Sequence, residues 1–190
     1  MEFTKSLIKG KFVKRYKRFF ADIKLNKKIV VAHCPNTGSM KGLLEVGNEV
    51  FISRNDDPKR KLKYTLEIIK VKKNLVGVNT HFANKIVHHG LLNNLVNELK
   101  NNDTIKPEVF FNKETRFDFF IEKNEQKIFV EVKNVTLFRD KKIAEFPDAI
   151  TSRGSKHLKT LIDAIKKGYK TYLLFLVQIE GVEHFKIAKD

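Results

Sequence analysis

The sequence predicts two folded regions of different class, an all-β barrel over residues 1–80 and an α/β domain over residues 81–190. Three observations predict this. Up to Thr80 the chain reads as short strands punctuated by turn residues, with no long helical pattern among them. After Thr80 the hydrophobic period changes, and helical and strand patterns follow one another. Charge divides at the same place: the net charge is +16, with 19 Lys/Arg against 7 Asp/Glu in residues 1–80 and 19 against 15 thereafter.

In the first region the strand candidates are FVKRYKRFFADIKL (12–25), KKIVVAHC (27–34), NEVFIS (48–53), KYTLEIIKV (63–71) and NLVGVNT (74–80), all rich in β-branched and aromatic residues. PNTGSMKG, VGN and NDDPKRK separate them with turn chemistry. Five closely spaced strands fit a small barrel such as an OB-fold. In the second region FANKIVHHGLLNNLVNELK (82–100) has helical spacing, imperfect around Gly90. Strands follow at 105–111, 115–122 and 126–134, then a helix over 152–168 with Leu158, Leu161, Ile162 and Ile165 on one stripe and Gly168 as its stop. YKTYLLFLVQI (169–179) reads as a strand buried on both faces. There is no internal repeat, and no flexible linker near residue 80.

Composition narrows the function classes. A hydrophobic fraction of 42% and 16 Phe predict a folded protein rather than a disordered one. Cys34 is the one cysteine, which rules out an internal disulfide and a thiolate zinc cage. The longest aliphatic-aromatic run, YLLFLV at 172–177, is too short to cross a bilayer, and no leader pattern opens the chain, so a soluble cytoplasmic protein without a membrane partner is expected. The basic excess of the first region predicts a polyanion partner, nucleic acid and DNA above all. Genomic bias explains the choice of 31 Lys over 7 Arg, but not the shortage of acids. Candidate phosphate contacts are Lys11, Lys14, Arg15 and Arg18, interleaved with aromatics at 11–20, and Arg60, Lys61 and Lys63. Residues 11–20 read equally well as a half-buried strand with its lysines in water.

The chemistry-bearing stretch is TRFDFFIEKNEQKIFVEVK (115–133), which sets two carboxylates inside strand-like apolar runs. Alternation puts Arg116, Asp118 and Phe120 on one face and Phe117, Phe119 and Ile121 on the other, while Phe129, Glu131 and Lys133 share a face. A two- or four-residue hairpin loop centred on Asn124–Glu125 sets Asp118 opposite Glu131, with Cβ atoms about 5 Å apart. Like charges so placed repel, and a divalent cation, Mg2+ or Mn2+, reverses the sign. Lys133 would reach the same place, to orient a water or to offset charge on a phosphate. Asp followed by Glu-x-Lys on the next strand is the pattern of the PD-(D/E)xK nucleases. The same register also allows an ordinary surface lattice in which Asp118 meets Lys133 and Arg116 meets Glu131. The literal Pro147–Asp148 follows Glu-x-Lys and is in the wrong order to supply the motif aspartate.

Two further stretches stand out. If a helix begins near Thr151, then Arg153, Lys156 and His157 form a basic stripe that reads equally as a phosphate clamp or a solvated helix end. In HCPNTGSM, residues Asn36, Thr37, Gly38 and Ser39 form a loop able to present N–H groups to an anion, or a rigid packing turn. His33 and Cys34 are adjacent in a strand and point to opposite faces, which argues against a Cys–His dyad.

HCPNTGSMKGLL (33–44), PKRKLKYT (58–65), VGVNT (76–80), RFDFF (116–120), VEVKNVTL (130–137) and FPDAITSRGSKHL (146–158) resemble the sugar fermentation stimulation protein A family along essentially the whole chain. The resemblance implies an OB-fold followed by a PD-(D/E)xK restriction-endonuclease-like domain and DNA binding without marked sequence preference. It also implies a link to regulating sugar (maltose) metabolism genes. The family's nuclease-like triad falls on Asp118, Glu131 and Lys133, with the Val132 carbonyl as a further metal ligand. This chain departs from the family twice. His88-His89-Gly90-Leu91 stands where Glu-Glu-Ala-Leu is usual, making His88 or His89 either a candidate extra ligand or a plain helix-surface pair. The chain also stops at HFKIAKD, where the family continues through another helix and strand. Oligomeric state is not read from the sequence.

Overall fold

The computed structural model describes Phe3 and residues 5–140, 142–149 and 151–189, with Asp140 and Arg153 described by backbone alone. By contact the chain divides into two units, Met1–His81 with Val135–Ala149 and Val177–Asp190, and Phe82–Asn134 with Ile150–Leu176.

The first unit opens with strands β1 (Ile8–Tyr16), β2 (Phe20–Leu25), β3 (Lys28–His33), β4 (Glu49–Arg54), β5 (Tyr64–Val71) and β6 (Asn74–Gly77). β1 pairs with both β2 and β4, and β4 pairs with β5. A parallel contact of β3 with β5, Ala32 to Tyr64 and His33 to Thr65, closes these five strands into the OB barrel. Its core is the alternate inward set, including Phe12, Ala21, Ile23, Ala32, Val50, Ile52 and Leu66, all fully buried. The register of β1 against β2 shifts between Phe12 and Lys14. Gly10 permits close approach of the neighbouring strand, because a Cβ there would lie 2.6 Å from Ile23 Cγ2. Both devices let one strand serve two neighbours around the barrel.

The predicted single strand over 12–25 is two strands. Lys17 and Arg18 adopt positive φ and turn the chain within KRF, without the glycine or asparagine that signals such a turn. Three short strands, β10 (Leu137–Asp140), β11 (Ile143–Phe146) and β13 (His184–Ile187), form a second sheet of the first unit, β11 and β13 in parallel.

The second unit is a four-stranded sheet between two helices. The elements are α1 (Ala83–Leu92), β7 (Thr104–Phe110), β8 (Arg116–Lys123), β9 (Gln126–Val135), α2 (Ser152–Lys166) and β12 (Lys170–Val177), with sheet order β12-β9-β8-β7. On one face Ala83, Val87 and Leu91 of α1 pack with Phe119, Ile121, Ile128, Val130 and Val132. On the other, Leu161 and Ala164 of α2 pack with Phe117 and Phe129. Helix α1 is shorter than the predicted 82–100: the Asn93 side chain bonds back to the His89 carbonyl, and Asn94 turns to positive φ. Helix α2 starts at Thr151, whose hydroxyl accepts the Gly154 N–H, and ends ahead of Gly168 at φ +85°. Among the described residues no helix is long and apolar enough to cross a membrane.

One departure from alternation shapes the site. Phe117 lies in the α2-side cluster rather than sharing a face with Phe119 and Ile121. In β7, Ile105 packs on the α1 side and Val109 on the α2 side, so both strands exchange faces at the same level. The residues at that level are Glu108, at φ +58°, and Asp118.

Candidate active site

The β8–β9 register is Phe119 to Val130, Phe120 to Phe129 and Ile121 to Ile128. The predicted pair of Asp118 with Glu131 lies one residue beyond this ladder. Lys123 pairs with Gln126, leaving the two-residue loop Asn124–Glu125. The described ladder stops at Phe119, and beyond it Asp118 Oδ2 accepts the Val132 N–H at 2.7 Å. The aspartate therefore takes a backbone donor where the regular pairing ends, at the level where the pleat exchanges faces.

From α1, Asn84 Nδ2 donates to Asp118 Oδ1 at 2.7 Å and lies 3.3 Å from Glu108 Oε1. Burial pushes the Asp118 carboxyl up, and the charges of Glu131 and Glu108 add to that, against the pull of the Val132 N–H and the Asn84 amide. Glu131 is 3% exposed. Its Oε1 accepts Lys133 Nζ at 2.7 Å and also contacts His157 Nδ1. The alternative lattice is rearranged: Lys133 pairs with Glu131 rather than Asp118, and Arg116 pairs with Glu108 at 2.8 Å rather than Glu131. The arrangement is a half-buried and a buried carboxylate, with a lysine, a histidine and an asparagine attached to their oxygens. It lies wholly within the second unit.

Other sequence candidates sit elsewhere. His88 stacks on Phe119 at 5.6 Å and His89 is exposed, so α1 meets Asp118 through Asn84, one turn earlier. Among the described residues no group of three or more His, Cys, Asp or Glu is arranged to hold a metal ion. Of the basic stripe on α2, Lys156 pairs with Glu114 at 2.8 Å and His157 turns to Glu131, while the Arg153 side chain lies outside the described residues. The Arg15 guanidinium donates to the carbonyls of Arg18, Asn36 and Gly38. In the 36–39 loop the Gly38 N–H is taken by Asn36 Oδ1, Ser39 Oγ bonds to the Asp148 carbonyl, and Thr37 is exposed. A Cβ on Gly38 would collide with the Asp148 carboxylate, so an acid already packs there. Lys14 lies 3.6 Å from Asp22 and over the Tyr16 ring. Lys11, Lys61 and Lys63 are exposed, and Arg60 bonds to Thr65 Oγ1. Cys34 is fully buried, beside Met40, and burial pushes its thiol up, which leaves it inert. Sequence reasoning missed Asn84, an uncharged residue whose role depends on the packing of α1 against β8.

Residues 13–78 match the family model for the SfsA N-terminal OB domain, and residues 81–190 match that for the sugar fermentation stimulation protein RE domain. The chain is similar to sugar fermentation stimulation protein homologs of Pelagibacter ubique, 81% identical over 190 residues, and of Pseudoalteromonas atlantica, 46% identical over 193 residues. In both, the alignment covers 100% of this chain and 82% of the relative. A solved structure, Pyrococcus furiosus SfsA, described as in complex with Ca2+, superposes with a TM-score of 0.87 at 26% identity, over 100% of this chain and 80% of that one. The chain belongs to the sugar fermentation stimulation protein family.

Proposed function

We propose that this protein binds DNA without marked sequence preference in the cytoplasm and carries a Mg2+- or Mn2+-dependent phosphodiesterase centre at Asp118, Glu131 and Lys133. One observation carries the reading: where the described β8–β9 ladder stops, the half-buried Asp118 takes the N–H of Val132, the residue next to the buried Glu131, which carries an amine. The donor set fits a hard divalent cation, since Asp118, Glu131 and the Val132 carbonyl offer oxygen only. The Ca2+ in the description of the Pyrococcus furiosus protein supports the same kind of ligand. When bound, such a cation supplies positive charge to the phosphoryl oxygens. Asn84 holds the Asp118 carboxylate in orientation. His157 fixes Glu131, and Lys133, released from Glu131, orients the attacking water.

The test is incubation with DNA and with RNA in Mg2+ or Mn2+, beside Lys133→Ala, and a cation-dependent rise in Tm. Cleavage lost in Lys133→Ala is expected, as is a cation-induced Tm shift lost in Asp118→Ala. The absence of both effects in the wild type refutes the centre. Substrate choice between DNA and RNA in the same assay separates an RNA-processing role.

The clamp of Lys133 and His157 on Glu131 favours a second reading, because the lysine offsets that acid's charge without any metal ion. The protein is then a non-catalytic DNA-binding regulator of sugar (maltose) metabolism genes on a nuclease scaffold. Asp118→Ala would leave DNA affinity unchanged or raised, with no activity to lose.

A further inference from the structure

Strand β3 ends at His33, at the seam where the barrel closes. His33 pairs with Phe20 of β2 on one side and with Thr65 of β5 on the other. Three ring systems adjoin there. Phe19, 43% exposed in the turn between β1 and β2, lies 6.4 Å from the His33 ring with planes 21° apart. The exposed His81 lies 6.2 Å from His33 at 44°. The Phe19 carbonyl accepts the Cys34 N–H and ties that turn to the end of β3. From the β4–β5 connection, Arg60 donates to Thr65 Oγ1 at 2.9 Å, and its charge bears on His33.

We infer that Phe19, His33, His81 and Arg60 form a stacking platform for an unpaired base, so that the first unit grips single-stranded nucleic acid. This rests on the nucleic-acid reading above and names the form of the polymer. An exposed phenyl face beside imidazole rings offers a base a flat apolar surface, and bases in a duplex already spend both faces on each other. Arg60 and His81 offer positive charge and donors to the flanking phosphates. Arg18, in the same turn as Phe19, and Lys59, Lys61 and Lys63, in the same connection as Arg60, continue the basic character along the chain. The loops involved are those by which barrels of this class hold oligonucleotides, but the residues are this chain's own.

The experiment is fluorescence anisotropy of the full chain in EDTA, with labelled oligodeoxyuridylate, oligouridylate and a blunt DNA duplex of equal length. Tighter binding of the single strands than of the duplex is expected. Phe19→Ala should weaken single-strand binding about ten-fold and leave duplex binding unchanged, with recovery in Phe19→Tyr. Because Phe19 is exposed and its turn is held by its backbone carbonyl, the substitution leaves the barrel core intact. Arg60→Ala should weaken binding and flatten its salt dependence. Deoxy and ribo strands should bind alike, since stacking reads the base and not the sugar. Strong sugar preference, duplex preference, or a silent Phe19→Ala in a wild type that still binds overturns the platform alone. A wild type that binds none of the three probes overturns the nucleic-acid reading with it.

Discussion

Burial pushes the His33 imidazole below the usual histidine range, and the positive charges of His81 and Arg60 add to that. The unfolded chain therefore takes up this proton more readily than the folded one, so acidification through about pH 6.5 favours unfolding. The expected outcome is that the wild type loses stability relative to His33→Gln as pH falls below about 6.5. Parallel Tm-versus-pH curves for the two proteins would contradict it, as would an NMR titration of His33 with a midpoint above the ordinary histidine value. At this scale the acids and the lysine of the candidate centre were legible in the sequence, because Asp and Glu-x-Lys inside apolar strands violate the preference for wet charges. The partners were less so. His157 reads as one more cation on a basic stripe until the packing of α2 brings it to Glu131, and Asn84 carries no charge to draw notice.

Among the elements, the β8–β9 hairpin was the most legible, since its apolar periodicity on both strands leaves one register that buries them together. Its turn was less so. Asn124 and Glu125 both adopt positive φ, 48° and 65°, as a two-residue primed turn requires, and glycine is the residue that fits the second position without strain. Glu125→Gly should therefore stabilise the protein by about 0.5–1 kcal/mol, the left-handed strain removed less the entropy of the added glycine. Urea denaturation measures it, and a loss of stability would contradict the assigned turn. The exchange of faces at Glu108 and Asp118 had no sequence signal, because a non-glycine at positive φ is selected by what surrounds it. Strands β10, β11 and β13 were missed for a related reason. Each has four residues, and the parallel partner of Ile143 is His184, too distant for any local window to register.

For the molecule as a whole, the charge of +16 sets the expected response to salt. Each phosphate neutralised should lower log affinity by about 0.7 per decade of salt on single strands and about 0.9 on duplex. Anisotropy titrations over a range of salt should give a steep line, and a flat one would count against nucleic acid as the partner.

The contact units also bear on the order of folding. The first unit draws on Met1–His81, Val135–Ala149 and Val177–Asp190, and the isolated bridge of Val76 to Ile179 ties its earliest segment to its latest. A ribosome making this chain delivers every residue of the second unit before the closing segment of the first. Until residue 179 is made, the barrel that emerges first therefore has its own closed ring of strands, and not the Val76–Ile179 bridge, to hold it.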